Sequence, residues 1–139
     1  MTTRRGFITA LLAATAAPRL GWAAAGGPAF LAAAKERDDS FSLCGLTADR
    51  GEAFKIPLPA RGHAGAGHPR RAEAVAFARR PGHFALVIDC VRGEIRHELQ
   101  PVAGRQFNGH GAYLDDGRLL VTSEQVADDS RGIIGIWDV

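Results

Sequence analysis

The sequence predicts an all-β fold, more specifically part of a β-propeller, and three observations carry that prediction. The chain of 139 residues contains 17 Gly and seven Pro, most of which separate short apolar runs. Several of these runs alternate apolar with polar residues, as a strand with one buried face does. The runs also recur with a period of about 47 to 49 residues, which suits one propeller blade made of several short strands.

The segments predicted as strands are short, and turn residues separate them. The first is alanine-rich and also has helix propensity, but it is too short and too closely bounded for a convincing helix. In the third segment, Phe54, Ile56 and Leu58 alternate with a lysine and a proline, which favours a half-buried strand. The segments predicted as strands are 30–36, 40–48, 52–60, 73–79, 83–90, 94–102, 118–123 and 133–138.

Two glycine- and histidine-containing stretches open the later repeats. Residues 62–69 begin the second repeat, and residues 109–114 begin the third as its first strand. The following residues 115–118, Asp-Asp-Gly-Arg, predict a tight turn, because glycine accepts a positive φ. The last repeat then has a second and a third strand, but not a fourth.

The repeats predict an incomplete ring. The chain contains about two to two and a half blades, whereas a propeller closes from about 4–8 blades so that few strand edges stay exposed. We therefore expect residues 26–139 to be the N-terminal blades of a β-propeller domain, truncated at the C-terminal end. The alternative is that these strands form a small sandwich.

The first 25 residues are predicted to be a signal peptide. Arg4 and Arg5 precede an apolar run that is too short to cross about 30 Å of hydrocarbon, and the small residues Ala23 and Ala25 offer cleavage sites. The arginine pair with Phe7 two places on resembles a twin-arginine signal, although a Sec signal or an uncleaved anchor remains an alternative. We expect a periplasmic protein that keeps no stable membrane span after cleavage.

Charge and cysteine content constrain the partners and the chemistry. The formal charge of +2 includes three arginines of the predicted signal peptide, so the remaining 14 basic residues face 15 acidic ones. A nearly neutral body gives no electrostatic case for binding nucleic acid or an anionic membrane. Cys44 and Cys90 each lie in an apolar run, which favours two buried thiols, with a disulfide as the alternative in an oxidising compartment.

Histidines are the best candidates for a binding site. His63 and His110 each follow a glycine, 47 residues apart, at the start of a blade's innermost strand. In a propeller this would place both near one end of the central channel, where neutral imidazoles could bind a transition metal or a haem edge. His68 could contribute to the same site, and Glu124 could add a carboxylate. A structural role for the Gly-His pairs is the alternative.

Arginines could give the same region affinity for anions. Arg61, Arg79, Arg80 and Arg105 could line the channel mouth and bind an anionic ligand through bidentate hydrogen bonds, or they could be solvated turn residues. The sequence has no recognisable catalytic motif, such as G-x-S-x-G, H-E-x-x-H or C-x-x-C-H. Whether the protein is an enzyme is therefore left open.

Several phrases of the sequence together resemble a known family. These are AEAVAFARRPG (72–82), GHGAYLDDGR (109–118) and GIIGIWD (132–138). They resemble the N-terminal part of bacterial domain-of-unknown-function family 1513. The resemblance implies a seven-bladed propeller of the YVTN or quinoprotein-amine-dehydrogenase type, exported by the twin-arginine pathway. The sequence departs from the family pattern at residues 62–69. Family members commonly have a G-H-G-x-x-x-H-P run there, whereas this chain has a more glycine-rich run with the histidines at the same positions.

The resemblance also implies a cellular setting. The genes of this family lie beside those of imelysin-like periplasmic proteins and dihaem thiol-oxidase-like proteins, in apparent iron-uptake neighbourhoods. We therefore predict an exported binding or scaffold protein for iron or haem uptake, with a metal or haem as the possible cofactor. One alternative is a periplasmic oxidoreductase with a metal, haem or quinone at the propeller channel. Another is an inactive, truncated fragment.

Overall fold

The computed structural model describes residues 21–129 and 131–139, which form ten β-strands and two short 3₁₀ turns. The strands form three antiparallel sheets, which we name the first sheet (β1–β3), the central sheet (β4–β7) and the third sheet (β8–β10). The elements are a turn at Trp22–Ala25, β1 (Phe30–Lys35), β2 (Phe41–Leu46), β3 (Glu52–Leu58), β4 (Gly62–Gly67), β5 (Glu73–Ala78), β6 (Ala85–Asp89), β7 (Glu94–Leu99), β8 (Arg105–Leu114), a turn at Asp115–Gly117, β9 (Leu119–Val126) and β10 (Gly132–Asp138).

The all-β prediction is confirmed, and every segment predicted as a strand contains one. The alanine-rich segment is β1, which pairs with β2 from Phe30 opposite Leu46 to Lys35 opposite Phe41. Its helix propensity is overridden because the strand gains a full ladder of backbone hydrogen bonds and a partly buried position. The turn predicted after residue 114 is also present, as the 3₁₀ turn at Asp115–Gly117.

β4 is an unusual strand, because it consists only of glycine, alanine and one histidine. Its small side chains let the neighbouring sheets approach closely. A Cβ atom at Gly62 would lie 2.9 Å from the Cβ of Ala33 on β1, and one at Gly65 would lie 3.3 Å from Leu43 Cδ1. The glycines thus allow β4 to contact β1 on one side and β8 on the other.

Two layers of buried side chains flank the central sheet. β5 separates them, because all six of its residues are buried and successive side chains point to opposite faces. Ala74 and Ala76 pack towards the first sheet, whereas Val75 and Phe77 pack towards the third. The larger side chains of the first layer include Leu43, Ile56, Leu58, Leu86 and Ile88, and those of the second include Val87, Phe107 and Leu120. Across the described residues, the three sheets do not close into a ring.

A cluster of charged residues at one end of the central sheet was not predicted. Its buried carboxylates, Glu73 and Asp89, are opposite each other on β5 and β6. Arg96 Nη2 lies 2.7 Å from Asp89 Oδ2, Arg71 Nη2 lies 2.9 Å from Glu73 Oε1, and the Tyr113 hydroxyl donates to Glu73 Oε1 at 3.1 Å. We call these five residues the Glu73–Asp89 cluster. It ties the central sheet to β8, which carries Tyr113.

Both cysteines are buried free thiols in this structure. Burial raises the pKa of Cys90 to about 12, so its thiol stays protonated and unreactive at neutral pH. Cys44 lies on β2 and Cys90 follows β6. The chain therefore holds its sheets together without a cross-link between these two cysteines.

The predicted signal motif, Arg4, Arg5 and Phe7, lies outside the described residues. The end of the predicted signal peptide is described, however, and it packs against the folded body. Trp22 Nε1 donates a 2.8 Å hydrogen bond to the His68 carbonyl, and Ala25 is only 6% exposed.

No helix between residues 21 and 129 or between 131 and 139 is long and apolar enough to cross a bilayer.

Candidate functional site

His63 and His110 lie on β4 and β8, and both occupy irregularities of strand pairing. The register of β4 against β5 shifts across His63, and that of β8 against β9 shifts over residues 108–110. Such bulges change the direction in which a side chain points, and they are frequent at functional sites. Gly109 has a φ of +88°, and a Cβ there would lie 2.7 Å from His63 Cδ2. Glycine at this position therefore allows the two histidines to meet.

The two imidazole rings are in direct contact. Their Nε2 atoms lie 3.1 Å apart, and the rings are edge-to-face at 89° with centroids 4.8 Å apart. In the neutral forms, one Nε2–H of His63 or His110 donates to the lone pair of the other. Both residues are exposed, so a ligand can reach them from solvent. The Ser123 hydroxyl donates to the His110 carbonyl at 3.1 Å and holds the bulge from β9.

The histidine pair lies in a pocket of about 500 Å³. We call it the histidine pocket, and its lining residues are His63, Arg79, Arg80, Asn108 and His110. The arginines come from the loop between β5 and β6. Two backbone contacts fix that loop, because Arg79 N donates to Arg61 O at 2.9 Å and Phe107 N donates to Gly82 O at 2.9 Å.

The histidine pocket is electropositive. Its lining contains two arginines and no carboxylate. Within the part of the chain that the structure describes, neither Arg79 nor Arg80 forms an ion pair, and the only side-chain partner of Arg80 is Gln125 Oε1 at 3.4 Å. Asn108 adds a buried side-chain oxygen that has no hydrogen-bond partner among the described residues. Such unsatisfied groups are rare in native proteins, and they occur at functional sites.

The spacing of the two imidazoles suits a shared metal ion. Two nitrogen ligands at about 2.0–2.1 Å from a metal are separated by about 2.9 Å at a right angle and about 3.3 Å at a tetrahedral angle. The observed 3.1 Å between the Nε2 atoms of His63 and His110 lies between these values. It is also an ordinary hydrogen-bond distance, so a shared metal ion would have to replace the hydrogen bond between the two rings. In residues 21–129 and 131–139, no group of three or more His, Cys, Asp or Glu side chains is arranged to hold a metal. The pair can therefore supply two ligands, and other donors must complete the coordination.

His68 does not join the other two histidines. It is 4% exposed, and its Nδ1 accepts hydrogen bonds from the backbone N–H groups of Arg70 and Arg71, both at 3.0 Å. Its ring packs edge-on against Tyr113 with centroids 4.9 Å apart. Burial lowers the pKa of His68, and the positive charge of Arg71 lowers it further. The neutral ring thus orders the turn before β5.

Arg105 and Glu124 interact with each other rather than with the histidine pair. The Glu124 carboxylate is 2% exposed and accepts a 2.7 Å hydrogen bond from the Thr122 hydroxyl. Arg105 Nη1 lies 3.8 Å from Glu124 Oε2. Neither residue lines the histidine pocket, and neither does Arg61, although its carbonyl anchors the pocket loop.

The comparison with known families supports the sequence resemblance. The sequence profile of one family, described as "Protein of unknown function (DUF1513)", matches residues 56–139. This is more than half of the chain, and it includes the central sheet, the third sheet and every residue of the histidine pocket. A search of curated proteins gave no match. The chain therefore belongs to the protein family of unknown function DUF1513.

Proposed function

We propose that this protein is an exported β-propeller that binds a metal-containing ligand at the histidine pocket. The observation that carries the proposal is the contact between His63 and His110, whose Nε2 atoms lie 3.1 Å apart in a solvent-accessible pocket. Two exposed imidazoles at metal-ligand spacing, both presented by strand bulges, form the most chemically distinctive site among the described residues.

The arrangement of the sheets supports the propeller part of this proposal. In a propeller, four-stranded antiparallel sheets surround a central channel, and each contributes its first strand to the channel wall. The central sheet has the order β4-β5-β6-β7, and its first strand contacts both β1 and β8, the first strands of the neighbouring sheets. The seven-bladed ring and the iron- or haem-uptake setting are what the family resemblance implies. In that setting, imelysin-like periplasmic proteins are the proposed partners.

Metal titration tests the site directly. We expect tag-free protein to bind one Cu²⁺ or Zn²⁺, and we expect His63→Ala or His110→Ala to weaken that binding at least about tenfold, because each removes one of the two ligands. Isothermal titration calorimetry measures the affinity. His97→Ala is the matched control, since His97 is also exposed but lies away from the pocket on β7. Equal affinity in all four proteins would refute the site.

A periplasmic oxidoreductase is the second candidate. It is favoured by the same two-ligand arrangement, since a metal held by only two protein ligands keeps open positions for substrate or oxygen. The absorption spectrum and metal content of the purified protein separate the two functions. A stoichiometric chromophore that disappears in His63→Ala would support the oxidoreductase, whereas a colourless protein that co-purifies with an imelysin-like partner would support the binding protein.

Export by the twin-arginine pathway has its own test. We expect Arg4→Lys combined with Arg5→Lys to abolish periplasmic accumulation, because the pathway reads the arginine pair and not only its charge. Cell fractionation and immunoblotting measure precursor and mature protein. Arg19→Lys, which makes the same change elsewhere in the predicted signal peptide, should be exported normally. Normal export of the Arg4/Arg5 variant would instead indicate the Sec pathway.

A further inference from the structure

The charge of the histidine pocket restricts the kind of metal species that fits it. Neutral imidazoles do not reduce the charge of a cation that they bind. A bare divalent ion in the pocket would therefore share it with the positive charges of two arginines, and the pocket lining contains no carboxylate to balance them. Like charges in one pocket repel each other, which weakens binding of a simple cation. The arginines therefore work against a bare metal ion and in favour of a ligand that carries negative charge.

The small number of metal ligands leads to the same conclusion. His63 and His110 supply two donors, and no third His, Cys, Asp or Glu joins them within the described residues. The remaining coordination positions must be filled by something other than those side chains. A chelator with several carboxylate groups would fill them and would also bring the negative charge that Arg79 and Arg80 can bind.

We propose that the ligand of the histidine pocket is an anionic metal chelate, that is, a metal ion already held by a small polycarboxylate. The two imidazoles take two adjacent coordination positions that the chelator leaves free. The guanidinium groups of Arg79 and Arg80 bind the chelator's carboxylate oxygens. This inference rests on the proposed function, because it requires the metal to be held by His63 and His110.

Two nickel complexes of opposite charge test the proposal. Nickel nitrilotriacetate is an anion and nickel tris(2-aminoethyl)amine is a cation, and both leave two adjacent positions free for imidazole. We expect tag-free protein to bind the anionic complex at least about tenfold more tightly than the cationic one. Isothermal titration calorimetry at low ionic strength measures both affinities, and added salt should reduce the difference.

Variants separate the role of the arginines from that of the histidines. Arg79→Gln combined with Arg80→Gln should lower the affinity ratio of the anionic to the cationic complex about tenfold. Arg37→Gln combined with Arg92→Gln is the matched control, because it removes the same charge from exposed positions outside the pocket and should leave the ratio unchanged. His63→Ala should weaken binding of both complexes.

The possible failures are distinguishable. Equal affinity for the two complexes, with a ratio that the Arg79/Arg80 variant does not alter, would overturn the anionic chelate and leave the metal site intact. Failure of both complexes and of free Cu²⁺ and Zn²⁺ to bind would overturn the proposed function as well. A ratio that falls equally in the Arg37/Arg92 variant would show only a general charge effect, and this too would overturn the role of the pocket arginines.

Discussion

Replacing Phe77 by alanine is expected to lower the free energy of unfolding by about 3–5 kcal/mol. Phe77 is fully buried near the C-terminal end of β5, and it fills the layer between the central and third sheets together with Phe107 and Leu120. Its ring also approaches Gly111 on β8, where an added Cβ would collide with it. The substitution leaves a cavity bounded by two sheets that cannot both collapse to fill it.

Urea-induced unfolding followed by circular dichroism measures this loss. Phe30→Ala is the matched control, because it removes the same atoms from a side chain that is 61% exposed, and it should change stability by less than about 0.5 kcal/mol. A similar loss in both variants would contradict the assignment of Phe77 to the shared core, and would indicate that the third sheet does not pack as described.

Asp89→Ala is expected to destabilise the fold by about 2–4 kcal/mol at neutral pH. Asp89 Oδ1 accepts hydrogen bonds from the backbone N–H groups of Val91 and Arg92 at 3.0 and 3.1 Å, and Oδ2 contacts Arg96. Burial opposes the charged carboxylate, but the hydrogen bonds from Arg96, Arg92 and Val91 outweigh it and lower the pKa of Asp89. Removing the side chain loses all three bonds and leaves Arg96 without its closest partner.

The lowered pKa of Asp89 gives this effect a definite pH dependence. Its carboxylate contributes full stability above the ordinary aspartate pKa of 3.8, and the contribution is lost as the pH falls through the lowered value of the folded state. The stability difference between wild type and Asp89→Ala should therefore shrink when urea unfolding is repeated at about pH 3 and below. Asp138→Ala, at an exposed position, should show little difference at any pH. A constant difference for Asp89→Ala would contradict a role for its charge.

Local sequence patterns were sufficient to predict most of the strands. Alternation in β3 and continuous apolar runs in β5 and β6 are properties of neighbouring residues, so they can be read without knowing the fold. β4 was the exception, because only the repeat spacing, and not the local pattern of residues 62–69, indicated a strand there. Its glycines have low strand propensity, and they are required because β1 and β8 pack closely on either side, which is a property of the assembled sheets.

The candidate site was predicted in part. The repeat spacing predicted that His63 and His110 occupy equivalent positions, and in the structure the two side chains are in contact. Arg79 and Arg80 were expected in the same region, at the channel mouth, and they line the same pocket. The irregularities of strand pairing that aim the histidines at each other, and the presence of Asn108 beside them, were not predicted. Asn108 directly precedes its Gly-His pair, and this was the one local sign of its position.

The charged residues were harder to place. Arg105 was expected at the channel mouth and Glu124 as a further carboxylate of the histidine site, but the two side chains form an ion pair with each other. The Glu73–Asp89 cluster joins residues from four strands and adjoining loops, and Tyr113 reaches Glu73 across 40 positions of sequence. Contacts of this kind depend on the register of the strands and on which sheets pack against each other. A single sequence reports neither of these.

The docked position of Trp22 has a consequence for the proposed removal of a signal peptide. A peptidase needs its substrate in an extended form. The bond after Ala23 lies within the 3₁₀ turn at Trp22–Ala25, and the bond after Ala25 lies at its end. The indole of Trp22 is hydrogen-bonded to the His68 carbonyl and packs near Gly67, which holds the turn in place. Leader removal at either bond would require that turn to peel away first. Cleavage there would also release Trp22, so the processed molecule would lose the indole that lines one side of the groove beside Leu31.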